Sequence, residues 1–196
     1  LWVLDVDVLR GFDTRSGAPL ATVDLAPAGA LFLNDFDFAP DGGIYASDMR
    51  LRTGPDGKTA PAGPGRIYHV GPDRRVSVAL ESPALVFPDG IGWDARGRRV
   101  IIAPFQGHAI QAWKPGTTRP DSVAGGKGRF DGVEVEPGTH SDHELERLDR
   151  LDARRRPAGA PAGAALHDAG GREHGCTARP RGHRFDGGRE VRAMEL

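Results

Sequence analysis

Hydrophobic positions in the first two thirds of this chain come in short alternating or continuous runs, never at a sustained helical spacing. Val6 and Val8 alternate with Asp5 and Asp7, behind an apolar start at Leu1-Trp2-Val3-Leu4 that reads as a buried strand. A period of two marks a strand with one solvated face. Phe12-Asp13-Thr14-Arg15-Ser16-Gly17 reads as a hairpin turn, and Ala21-Thr22-Val23-Asp24-Leu25 as the returning strand. Phe36-Asp37-Phe38 alternates too, and Asp41-Gly42-Gly43 turns into Ile44-Tyr45-Ala46. Residues 66–70 and 76–78 flank the turn Gly71-Pro72-Asp73, and 100–103 and 109–113 flank Phe105-Gln106-Gly107. Short strands with turn signals about every 8–12 residues predict an all-β sandwich, barrel or propeller.

A degenerate repeat favours the propeller. Three segments align: Asn34-Asp35-Phe36-Asp37-Phe38-Ala39-Pro40-Asp41-Gly42, Asp89-Gly90-Ile91-Gly92-Trp93-Asp94-Ala95-Arg96-Gly97, and Asp131-Gly132-Val133-Glu134-Val135-Glu136-Pro137-Gly138. Each runs amide or carboxylate, small or acidic residue, apolar, any, apolar, turn. Their starts lie 55 and 42 residues apart, and a Gly- and Pro-rich loop at 53–64 accounts for the longer spacing. A period of about 40–50 residues with about four strands per unit is that of a propeller blade.

The innermost strand of each blade lines a central channel, so equivalent residues of successive blades reach the same ring. Asn34, Asp89 and Asp131 hold that place. One amide oxygen and two carboxylates make a hard-oxygen set suited to Ca²⁺, or to Mg²⁺ or Mn²⁺ with fewer protein ligands. A cation held there polarises an ester carbonyl and activates water. The competing reading is structural, since Asn and Asp before Gly commonly make turns.

These same stretches carry a family resemblance. Leu33-Asn34-Asp35 with Asp41-Gly42-Gly43-Ile44-Tyr45-Ala46-Ser47-Asp48, then Pro88-Asp89-Gly90-Ile91-Gly92-Trp93, then Phe130-Asp131-Gly132-Val133, is similar to the regucalcin/gluconolactonase-like family. The resemblance implies a six-bladed β-propeller, here incomplete, with one divalent cation in its channel and lactone or ester hydrolysis as its activity. Ca²⁺ is the first expectation, with Mg²⁺, Mn²⁺ or Zn²⁺ as alternatives. It implies Asn34 as a substrate- and ion-contacting residue, Asp89 as an ion ligand where the family has Asn, and Asp131 as both ligand and catalytic base. No residue matches the family's first-blade Glu ligand. A non-catalytic propeller that binds a ligand or protein partner is the alternative function.

Composition splits the chain in two. Residues 139–184 contain no Val, Ile, Phe, Tyr, Trp or Met, yet hold five of the seven His and nine Arg. Such a stretch buries too little apolar surface to offset its ordering entropy. The expected organisation is a partial propeller at 1–138, a disordered or non-native segment at 139–184, and a closing strand within 185–196. A shift of reading frame across 139–184 is the expectation for the break.

Net charge is −1, from 26 basic and 27 acidic residues, so no global attraction draws the chain to nucleic acid. No apolar run approaches the roughly 20 residues of a membrane span. The single cysteine, Cys176, excludes an intramolecular disulfide framework. Asp48 is expected to cap a turn, His108 to lie in a loop, and Trp2, Trp93 and Trp113 to pack in the core or between blades. The expected partner is a small lactone or ester. Oligomeric state and localisation are not readable from these residues.

Overall fold

The computed structural model describes residues 1–125 and 129–135, and the backbone of 179–185 and 189–195. By internal packing the chain divides into Leu1–Pro137 with Ala178–Leu196, and Gly138–Thr177. The second unit lies outside the described residues, and with it most of the stretch expected to be disordered or frame-shifted.

The first unit is a succession of antiparallel meanders. β1 (Trp2–Asp5), β2 (Val8–Phe12) and β3 (Pro19–Asp24) form the first sheet. A 3-10 turn at Ala26–Ala28 leads to β4 (Leu33–Phe38) and β5 (Ile44–Asp48). β6 (Leu51–Thr53) and β7 (Thr59–Pro61) make a separate two-stranded ribbon. The chain returns through β8 (Gly65–Val70) and β9 (Val76–Ser82), giving a sheet ordered β4-β5-β8-β9. The segment expected to be a loop at 53–64 is partly a hairpin, because Thr53 and Thr59 pair across the turn Gly54-Pro55-Asp56-Gly57-Lys58, closed by the Gly57 N–H on the Gly54 carbonyl and by the Lys58 N–H on Asp56 Oδ1. β10 (Pro88–Asp94), β11 (Arg99–Pro104), β12 (Ala109–Trp113) and β13 (Asp121–Gly125) make the next sheet in simple order. β14 (Phe130–Val135) pairs with β16 (Arg189–Glu195), which pairs with β15 (Arg179–Phe185). β16 falls within 185–196, and β15 begins inside the stretch 139–184 expected to carry no strand.

Four-stranded meanders packed face to face are propeller blades. Their signature is burial on both faces of the middle strands. All five residues of β5 are buried. Ile44 and Ala46 join Leu9, Leu25 and Tyr68 in the core beside the first sheet, whereas Tyr45 joins Ile67, Leu80 and Trp113 in the next core. In β11, Val100 and Ile102 face that same core while Ile101 and Ala103 pack with Ile110 and Phe130. Continuous apolar runs such as Val100-Ile101-Ile102-Ala103 are the sequence mark of a strand buried on both sides. Tyr45 meets Trp93 and Trp113 with ring centroids 6.1 and 5.9 Å away, the aromatic contact between two blades.

β1 departs from expectation. Leu1 and Val3 are 67% and 40% exposed, because β1 pairs with β2 alone among the described residues and that face is uncovered. Trp2 and Leu4 turn the other way, onto the first core. Among the described residues no helix is long and apolar enough to cross a membrane.

The innermost strands β4, β10 and β14 lie side by side, and glycine permits the approach. A Cβ on Gly90 would stand 2.6 Å from the backbone of Gly132 and Val133, and one on Gly92 would stand 2.8 Å from Val135 Cγ2. Gly90→Ala must push two backbones apart, with an expected cost of about 1–3 kcal/mol. The check is a urea denaturation midpoint. A midpoint equal to that of the unsubstituted chain would contradict this close packing.

Candidate functional site

Each innermost strand carries one extra residue near its start. In β4 the register with β5 jumps between Leu33 and Phe36; in β10 it jumps between Pro88 and Gly90; in β14 it jumps between Phe130 and Val133. Asn34-Asp35, Asp89 and Asp131-Gly132 thus occupy equivalent β-bulges. A bulge breaks the ladder and re-aims a side chain, and bulges concentrate near functional sites. The repeated pattern in the sequence is the trace of this repeated irregularity. Just ahead of Asp89, Phe87 holds φ 49°, a left-handed conformation that costs a bulky residue about 1–2 kcal/mol. The Phe105 N–H donates to the Phe87 carbonyl at 2.9 Å and helps hold it.

Asp89 is the most constrained of the three. It is 1% exposed, and its Oδ1 is buried with no hydrogen-bond partner. Its backbone carbonyl accepts from Ser47 Oγ at 2.6 Å. Burial pushes its carboxyl up to about 7, with the charges of Asp131 and Asp35 adding to the rise. Asp35 is half-buried, and its two oxygens accept from the N–H groups of Phe36 at 2.8 Å and Ile91 at 2.9 Å. Burial raises its carboxyl above the ordinary range; those N–H groups pull it back, and Asp37 and Asp131 push it up further. Asp37 accepts from the Trp93 N–H at 2.7 Å.

The structure brings Asp89 and Asp131 into electrostatic contact and adds Asp35 to them. Asn34 is exposed, and its amide nitrogen lies 3.1 Å from Met49 Sδ. No hydrogen bond among the described residues ties it to Asp89 or Asp131. Asp48, wholly buried, accepts from the N–H groups of Leu31, Phe32 and Arg50 at 3.0, 3.0 and 2.7 Å, closing the turn into β4. Asp35 was missed by motif reasoning, although Asp35 and Asp37 stand two apart on one strand and so share a face. Below the bulges a cavity of about 290 Å³ opens between β4, β10 and β14, with Asp35, Asp37 and Glu134 in its lining.

A buried carboxylate oxygen without a donor, facing two further acids, is a donor set that a hard divalent cation would satisfy. Among the described residues no three His, Cys, Asp or Glu side chains stand ready to chelate one. Asp89 and Asp131 therefore amount to two oxygen donors and not to a complete chelate.

A propeller with an acidic point at its bulged inner strands is the class these features define. The chain belongs to the SMP-30/gluconolactonase/LRE-like family, whose model matches residues 5–137. The match ends where the apolar composition ends. Among solved structures, a protein described as a candidate gluconolactonase is 19% identical, with a TM-score of 0.44, over 68% of this chain and 48% of that one. A functionally unknown protein from Desulfotomaculum acetoxidans is 15% identical, with a TM-score of 0.37, over 67% of this chain and 53% of that one. The chain thus spans about half the length of these two structures. No curated protein matches it.

The Asp89 environment has a definite pH signature. Its folded carboxyl titrates at about 7 against 3.8 for the ordinary group, so the folded state holds the extra proton between those values. Stability in the absence of added cations is therefore highest below about pH 4 for this group and is lost as pH rises toward 7, by about 4 kcal/mol at most. Asp89→Asn removes the buried charge and should flatten that slope, with a higher melting temperature than the unsubstituted chain at pH 8. Parallel pH–stability curves for the two chains would contradict the assignment.

Proposed function

We propose that this chain carries the channel face of a divalent-cation-dependent hydrolase acting on a lactone or related ester. The observation that carries the reading is the buried, unpartnered Asp89 carboxylate opposite Asp131, in a chain of a gluconolactonase-containing family. Asp89 and Asp131 would hold the ion, with Asn34 at the exposed rim as a third oxygen donor and a contact for substrate. Bound there, a divalent cation supplies Lewis-acid polarisation of the ester carbonyl. Asp131 is half-buried, which leaves its carboxylate accessible to take a proton from an attacking water. Asp89, shielded from solvent, contributes charge rather than proton transfer. Ca²⁺ is the first candidate, because it takes oxygen donors in a flexible shell; Mg²⁺ or Mn²⁺, which need fewer protein ligands, are the alternatives.

The second reading, a propeller that binds a ligand without chemistry, is favoured by the lack of a ready-made chelate among the described residues. One experiment separates the two. The full chain is incubated with Ca²⁺ or Mn²⁺ at millimolar concentration, and its melting temperature and hydrolysis of a panel of γ- and δ-lactones are followed. The hydrolase reading predicts a melting temperature raised by the ion and lactone hydrolysis that a chelator abolishes. Asp131→Asn should then lower kcat by about 10²-fold or more. An ion-induced rise in melting temperature without hydrolysis favours the binding reading. No rise and no hydrolysis overturns the cation site itself.

A further inference from the structure

Ser47 stands directly across the bulge of β4. Its neighbours Asp48 and Ala46 pair with Leu33 and Phe36, so Ser47 alone faces Asn34-Asp35. It lies two residues from Tyr45 on a strand, and so on the face that packs toward the β10 sheet. An apolar residue would be the ordinary occupant of that face. The hydroxyl is fully buried and must be satisfied or it costs stability. It accepts from the Asp35 N–H at 3.0 Å. Its single proton has two carbonyl acceptors in reach, Asp89 at 2.6 Å and Asp35 at 3.2 Å, and the shorter contact takes it. One hydroxyl therefore satisfies the Asp35 N–H and the Asp89 carbonyl, backbone groups at two bulges in two different blades.

We propose that Ser47 is a positioning residue for the acidic site. It fixes the peptide of Asp89, and hence the direction in which that carboxylate leaves the strand toward Asp131. It does not itself touch ion or substrate. The inference rests on the cation reading above. With Ser47→Ala the Asp89 carbonyl and the Asp35 N–H both lose a buried partner, and neither bulge offers a ladder group in exchange. Outer groups that orient an ion's ligands typically carry about 10–100-fold of its affinity.

The test is Mn²⁺ affinity by isothermal titration calorimetry on the full chain, with amide hydrogen exchange at Asp35 read in parallel. Ser47→Ala should weaken Mn²⁺ by about tenfold or more and speed exchange of the Asp35 N–H. Ser47→Thr, which keeps the hydroxyl, should recover most of both. Ser47→Cys, with a weak hydrogen-bonding group, should resemble Ser47→Ala, and it gives the same comparison if the alanine variant does not fold. Val23→Ala, a core truncation in the first sheet, controls for general loss of stability and should leave Mn²⁺ affinity within twofold. Ser47→Ala and Ser47→Cys affinities within twofold of the unsubstituted chain would overturn the role of Ser47 and leave the cation reading standing. Equal losses in Ser47→Ala and Val23→Ala would overturn it as well, as a purely structural effect. Absence of Mn²⁺ binding in the unsubstituted chain overturns the cation reading and this inference together, and that outcome is visible before any variant is made.

Discussion

The inward edge of β10 has no ladder partner, so the N–H groups of Ile91 and Trp93 end on the carboxylates of Asp35 and Asp37. Left bare in a packed interior, each such donor would cost about 1–3 kcal/mol. A carboxylate acceptor makes the bond charge-assisted and shorter than a neutral one. Two acids two residues apart on β4 therefore stand in for a missing strand. They fix the register between blades whose innermost strands are 56 positions apart in sequence. On the opposite side, Gly90 and Gly92 let β14 come within contact of the β10 backbone. β10 is held from both sides, and the bulge that carries Asp89 is held with it.

This way of closing an edge concentrates negative charge. Asp35 and Asp37 are committed to N–H donors, and the buried carboxylate of Asp89 feels the charges of Asp131 and Asp35 without a donor to its Oδ1. Burial, with the charges of Asp131 and Asp35, keeps a proton on Asp89 up to about pH 7. A divalent cation would meet the same need differently, which is the physical content of the proposed site. The cation reading and the raised carboxyl are thus two consequences of one cause, a buried acid with acidic neighbours.

Much of the fold was legible in the chain. Alternation at Phe36-Asp37-Phe38 and the continuous run Val100-Ile101-Ile102-Ala103 differ because an innermost strand has a channel face and a middle strand has none. The repeat at Asn34, Asp89 and Asp131 was legible because a bulge at one place in each blade imposes the same residue types there. Other features left no local mark. The bond from Ser47 to Asp89 and those from Asp35 and Asp37 to β10 join residues 42 and 56 apart, and nothing in the short neighbourhood of any of them signals the partner. The exposure of Leu1 and Val3 was likewise hidden, because an apolar run does not say what covers it. Asn34 shares the repeat position with Asp89 and Asp131 but is exposed beside Met49, since β4 places its Asp35 rather than its Asn34 against β10.

The most direct measurement is an anomalous-scattering map from crystals of the chain grown with Mn²⁺. The account predicts a single strong peak bonded to the carboxylates of Asp89 and Asp131, at the bulged starts of β10 and β14. A fully occupied map with no peak there, and Asp89 Oδ1 hydrogen-bonded instead to a protein donor, would contradict it.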